Sequence, residues 1–263
     1  MNMLLTLFLL APLQTPQDPA LARLEGSPRH HEWLELERGA RKLKSFAVFP
    51  EVKAKVPAVL VIHENKGLSD WARSVADQLA EAGYVALAPD LLTGAGPAGG
   101  DTGSFASTEA ATKALYALDS AQVLGDLDAL LAHARTLAAC NGKVFVAGFC
   151  WGGAKSFEYA THQKELAGAF VFYGTAPKED ALAAIACPVY GFYGENDARI
   201  TAGLEATTAA MKKAVKTFDP VVYAGAGHGF MRAGEASDAS AENKKARDEA
   251  WERWKELLAG ANR

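Results

Sequence analysis

Six short apolar runs, "PAVLVIHE", "YVALAPDLL", "KVFVAGF", "AGAFVFYG", "CPVYGFYG" and "FDPVVYAG", constrain this chain more than any other feature. Their apolarity is nearly continuous rather than alternating, as in strands buried on both faces of a parallel sheet. Amphipathic segments separate most of them: "SDWARSVADQLAEAGY", "DSAQVLGDLDALLAHARTLA", "WGGAKSFEYATH" and "TAGLEATTAAMKKAVK", with "SAENKKARDEAWERWKELLAG" closing the chain. The first carries Ser69 or Asp70 as N-cap and Gly83 as a stop. Strands alternating with helices predict an α/β fold, a mostly parallel central sheet covered by helices on both faces. Two further strands, "EWLELE" and "KSFAVFP" around a turn at Gly39, precede this pattern.

Composition narrows the function. With 263 residues, 49% hydrophobic and 22% charged, the chain can bury one sizeable core. A net charge of -4 without a basic stripe argues against a nucleic-acid partner. No apolar run is long enough for a stable membrane span. The opening "MNMLLTLFLLAPLQTPQDPALA" has a short apolar run, Leu4 to Leu10, and an A-x-A site at Ala20-Leu21-Ala22, although its first residues lack Lys and Arg. The expectation is a leader over 1–22 and a single domain over 23–263. Export to the periplasm or exterior follows, with a cytoplasmic location if the segment is not cleaved.

In open α/β sheets, reactive groups gather beyond the carboxyl ends of the strands. Four candidates stand there: Glu64, Cys150, Asp197 and His228. Cys150 lies in "GFCWGG", where a strand turns sharply into a helix, and a thiol occupies the place where hydrolases of this layout usually carry serine. A thiol becomes a strong nucleophile when deprotonated. A histidine in reach takes its proton, and a carboxylate on the other ring nitrogen orients that histidine. The amide of Trp151 and that of Asn65 are the natural oxyanion donors. A metal reading of His63, Glu64, Cys150 and His228 lacks H-E-x-x-H or paired-Cys spacing, so no metal is expected, and a phosphate-binding reading of the glycines fails for want of the P-loop lysine spacing. The run "TGAGPAGGDTGSFAST" is loop, either a surface insertion or a lid over a site.

"GFCWGG", "GENDARI" and "GAGHGFMR", with "VIHENKGL" and "GYVALAPDLL" upstream, resemble the dienelactone hydrolase family of α/β-hydrolases from about Ser45 to the closing helix. The resemblance implies the α/β-hydrolase fold, a Cys150-His228-Asp197 triad and no cofactor. It also implies that Glu64 interacts with the resting thiol and helps generate the thiolate. Arg232 matches one of the two arginines with which the family binds a substrate carboxylate. The other is missing after "PDL", where Arg199 is the candidate substitute.

The expected activity is hydrolysis of a carboxylic ester or small lactone through a thioester, by a monomer. The alternatives are an exported esterase for larger aryl or polymer-derived esters, and a non-catalytic binding module. Cys140 and Cys187 each precede a strand, and the resemblance implies that these strands are neighbours. A disulfide between them is therefore geometrically possible and favoured by export, the alternative being two separate buried thiols.

Overall fold

The computed structural model describes residues 18–262. The first elements are α1 (Pro19–Gly26), β1 (His30–Arg38), β2 (Arg41–Phe49), β3 (Val56–Ile62), α2 (Asp70–Glu81) and β4 (Val85–Pro89). Next come α3 (Thr108–Tyr116), α4 (Ser120–Thr136), β5 (Cys140–Phe149), α5 (Trp151–His162), β6 (Gly168–Phe172) and α6 (Glu179–Leu182). The chain ends with β7 (Val189–Gly194), α7 (Ala198–Thr201), α8 (Leu204–Lys213), β8 (Phe218–Tyr223), α9 (Phe230–Ala233) and α10 (Ala241–Asn262). The strands form one eight-stranded sheet in the order β1-β2-β4-β3-β5-β6-β7-β8. β1 and β2 make an antiparallel hairpin about Gly39 (φ 65°), and β2 meets β4 antiparallel. Every pairing from β4 to β8 is parallel, so these strands carry their carboxyl ends to a common edge.

The alternation of side chains along a strand divides the core in two. On β5, Phe145, Ala147 and Phe149 join the cluster under α1, α2 and α10, while Val144 and Val146 join the one under α3, α4 and α5. Trp254 of α10 is fully buried against Phe149, Phe170 and Phe172, with ring centroids 5.9, 5.8 and 4.9 Å away. Burial of each of these phenylalanines contributes about 1.5–3 kcal/mol through apolar area alone. The residue before Cys150 is thus held in the most aromatic part of the core.

Three sequence expectations meet the structure here. The Gly-rich run from Thr93 to Ser107 holds only two single-turn 3₁₀ helices, Pro97–Gly99 and Thr102–Ser104, and it is pinned rather than loose. Asp90 accepts hydrogen bonds from the Thr102 amide (3.0 Å) and hydroxyl (2.7 Å), and the Thr102 hydroxyl oxygen accepts from the Leu68 amide (3.0 Å). At its end Ser107 caps α3, a helix for which the sequence reading offered no element. Residues 1–17, which carry most of the expected leader, lie outside the described residues. Its end, with the A-x-A site, is part of α1, where Ala20 and Leu24 are buried in the core.

The possible disulfide is a correction. Cys140, Cys150 and Cys187 are all free thiols. Strand β6 lies between β5 and β7, so the two cysteine strands are separated by two spacings, about 9.6 Å. A disulfide spans Cα atoms no more than roughly 6.8 Å apart. Cys140 instead pairs across to Val56 on β3, and burial pushes the Cys187 thiol up to about 11.

Candidate active site

The corner between β5 and α5 is built from glycines because backbone approaches backbone there. A Cβ on Gly148 would lie 1.9 Å from the Gly152 carbonyl oxygen, and one on Gly152 would lie 2.4 Å from the carbonyl oxygens of Ile62 and His63. Between them Cys150 adopts φ 56°, ψ −113°, a conformation that costs a non-glycine residue about 1–3 kcal/mol. The surrounding structure enforces it: the Cys150 amide donates to Phe172 O (3.0 Å), and the Ala154 amide donates to Cys150 O (3.1 Å). The strained turn lifts the thiol clear of the sheet edge.

Two other strand ends complete the arrangement. Asp197, 6% exposed, follows β7, and His228 follows β8. His228 Nδ1 lies 2.5 Å from Asp197 Oδ2, and Nε2 lies 3.1 Å from Cys150 Sγ. The carboxylate accepts from Nδ1–H and orients the ring, so that Nε2 faces the thiol and shares its proton. The hydrogen bond to Cys150 raises His228 to about 9; burial opposes that shift, and Asp197 reinforces it. The chain therefore brings together the three residues that sequence spacing scattered over three strands.

Glu64, at the end of β3, is 6% exposed and has other partners than the thiol. Its Oε2 accepts from Arg232 Nε (2.7 Å) and its Oε1 from the Tyr173 hydroxyl (3.3 Å). Arg232 is charged against its own burial because the Glu64 carboxylate outweighs that cost. Burial, with Glu64 adding to it, holds the Tyr173 phenol well above its usual value, so it stays a donor. Arg199 is exposed on α7, just beyond Asp197.

Trp151 opens α5, so its amide belongs to the first turn, whose amides have no partner within the helix. The Asn65 amide shares a peptide group with the Glu64 carbonyl. That carbonyl lies 2.8 Å from His63 Nδ1, and His63 Nε2 faces the Leu91 amide at 3.4 Å. Because the peptide is trans, holding the carbonyl toward His63 aims the Asn65 N–H the opposite way. His63 is fully buried, which lowers its affinity for a proton, and it stacks on the Trp151 ring at 5.8 Å. The next peptide is held from α3, where the Thr112 hydroxyl donates to Asn65 O (2.8 Å).

Sequence reasoning weighed His63 only as a metal ligand and gave Tyr173 no role. Both stand at the ends of buried strands, the same signal that selected the four candidates. Tyr173 (φ 41°) also closes on the site from the side, its ring edge-on to His228 at 5.1 Å.

The family model described as "Dienelactone hydrolase family" matches residues 43–261. A protein of Methylorubrum extorquens named "Putative carboxymethylenebutenolidase" is 32% identical over 201 residues, covering 72% of this chain and 68% of its own. One of the same name from Escherichia coli K12 is 29% identical over 234 residues, covering 83% and 80%. A solved structure from Klebsiella pneumoniae, titled a "Putative Dienelactone Hydrolase", superposes with a TM-score of 0.77 at 26% identity, covering 88% of this chain and 98% of that one. The sheet order, the cysteine elbow and these matches together place the chain in the dienelactone hydrolase family, hydrolases of the α/β-hydrolase fold that act on ester and lactone bonds.

Proposed function

We propose that the protein hydrolyses carboxylic esters or lactones through Cys150, His228 and Asp197, by way of a thioester on Cys150. One observation carries this reading: Sγ, the imidazole and the Asp197 carboxylate form a continuous hydrogen-bonded line, 3.1 and 2.5 Å long, at a strained elbow. His228 Nε2, whose affinity for a proton the sulfur contact raises, already holds the thiol proton when sulfur attacks the carbonyl carbon. The developing oxyanion receives the amides of Trp151 and Asn65. The tetrahedral species collapses, the carbon–oxygen bond to the alcohol breaks, and His228 returns the proton to the leaving oxygen. A water molecule, deprotonated by His228, then attacks the thioester and releases the acid with sulfur as leaving group. Once sulfur is acylated, the contact that most raises His228 is gone, and the ring becomes the base that this second half needs.

Arg232 is the candidate anchor for a substrate carboxylate. Its Nε is engaged by Glu64, so an incoming carboxylate would compete with Glu64 or take the remaining guanidinium donors. Displacement of Glu64 toward the thiol would give Cys150 a second proton acceptor. The test is a panel of p-nitrophenyl esters of increasing acyl length, neutral and anionic, beside a dienelactone. Arg232→Ala is expected to raise KM for the anionic members more than for the neutral ones. Equal effects on both would make Arg232 structural, and no turnover of any member would overturn the esterase reading.

A further inference from the structure

The Gly-rich run and α3 form the long connection between β4 and α4, and no residue of it reacts in the chemistry above. It nevertheless grips the loop that carries the Asn65 amide, at two points. Thr112, on α3, donates its hydroxyl to Asn65 O (2.8 Å), and the Thr102 hydroxyl oxygen accepts from the Leu68 amide (3.0 Å). Between those points Gly67 turns with φ 80° against Thr102, and a Cβ there would lie 2.3 Å from the Thr102 hydroxyl oxygen.

Both grips are themselves fixed. The buried Asp90 carboxylate, at the end of β4, accepts from the amide and hydroxyl of Thr102 and from the Leu92 amide (3.1 Å). α3 is seated by Ala111 and Leu115, both buried, with Thr112 between them in sequence. A helical threonine can turn its hydroxyl back to the carbonyl four residues earlier. Thr207 does so to Gly203 O and Thr208 to Leu204 O. Thr112 spends its hydroxyl across the fold instead.

The consequence is geometric. The peptide before the Asn65 Cα is held at its carbonyl by His63, and the peptide after it is held at its carbonyl by Thr112. With both planes fixed, the two rotations about that Cα are fixed, and so is the direction of the Asn65 N–H. That amide meets no acceptor among the described residues. An oxyanion donor is effective when it is aimed beforehand at the place where charge develops.

We infer that Thr112 is a positioning residue for the oxyanion site, and that residues 93–118 act as its brace rather than as a lid. The inference rests on the esterase reading, because the amide being aimed is the one that receives the developing oxyanion. The brace touches no substrate, so its effect falls on kcat and is the same for small and large acyl groups.

Thr112→Val nearly keeps the shape and removes the donor. Its kcat for p-nitrophenyl acetate and p-nitrophenyl octanoate is expected to fall about tenfold for both, a partial loss of one oxyanion donor, with KM little changed. Thr112→Ser, which keeps the hydroxyl, should recover most of that loss. Alkylation of Cys150 by iodoacetamide forms a carbon–sulfur bond and releases iodide without passing through an oxyanion, so its rate should be the same in all three proteins. Native kcat in Thr112→Val, a loss confined to octanoate or to KM, or a matching loss of alkylation overturns the inference.

A measurement without turnover separates this inference from the esterase reading. Butanal adds to the Cys150 sulfur as a hemithioacetal: a carbon–sulfur bond forms, and the thiol proton passes to the former carbonyl oxygen, which takes the oxyanion position. The dissociation constant of ¹³C-labelled butanal, read from its resonance, should rise severalfold in Thr112→Val and recover in Thr112→Ser. That rise, together with full ester hydrolysis by Cys150→Ala, upholds the brace and rejects the thioester chemistry. An unchanged constant overturns the brace.

Discussion

His228 Nε2 stands 3.1 Å from Cys150 Sγ, and that contact contributes most to holding the imidazolium to about pH 9. A free histidine titrates near 6.5, so the pKa is raised in the folded state. A raised histidine pKa stabilises the fold fully below the unfolded value, and the contribution is lost as pH rises from about 6.5 through about 9. The His228 ring resonances should therefore titrate near 9 in the native enzyme and distinctly lower in Cys150→Ala, where the largest raising contact is absent. The same midpoint in both proteins would show that Asp197, not the thiol, governs the ring.

His63 is the second expectation. It touches no substrate in this account; it positions the Asn65 amide through the Glu64 carbonyl, 2.8 Å away, and the elbow through the Trp151 ring. His63→Leu should lower kcat by about a hundredfold, the effect of losing one oxyanion donor, while KM changes little. The variant also strands buried backbone groups, each costing about 1–3 kcal/mol, so its melting temperature should fall. A folded His63→Leu protein with native kcat would remove the positioning role.

The parts of this site that were legible in the sequence share one cause. Cys150, Asp197, His228 and Glu64 each follow an apolar run, and a parallel sheet brings such ends to one edge whatever their separation along the chain. What the residues do not encode locally is the order of strands across the sheet. The presence of β6 between β5 and β7 separates Cys140 from Cys187 and rules out the possible bridge. Local chemistry also concealed two helices. α3 begins at the end of a Gly-rich run, and α1 lies in a segment with the look of a leader's end. The partners of Glu64 were hidden for another reason: Tyr173 and Arg232 meet it only through the tertiary fold.

The cysteines give a direct chemical check on that correction. Protein unfolded without reductant should react with three equivalents of a thiol reagent, since Cys140, Cys150 and Cys187 are all free. In the folded state Cys150 should react first, because Cys187 is buried with its thiol pushed up to about 11 and Cys140 is buried as well. A count of one free thiol would restore the bridge and contradict the sheet order described here.

The central claim is that Cys150 becomes acylated. The most direct measurement is the intact mass of the protein, quenched in acid within the first turnovers of a p-nitrophenyl ester. The account predicts an added acyl mass that maps to Cys150, disappears as substrate is exhausted, and is absent from Cys150→Ala, which should turn over no ester while remaining folded. Wild-type hydrolysis by Cys150→Ala, or an adduct on another residue during turnover, would contradict it.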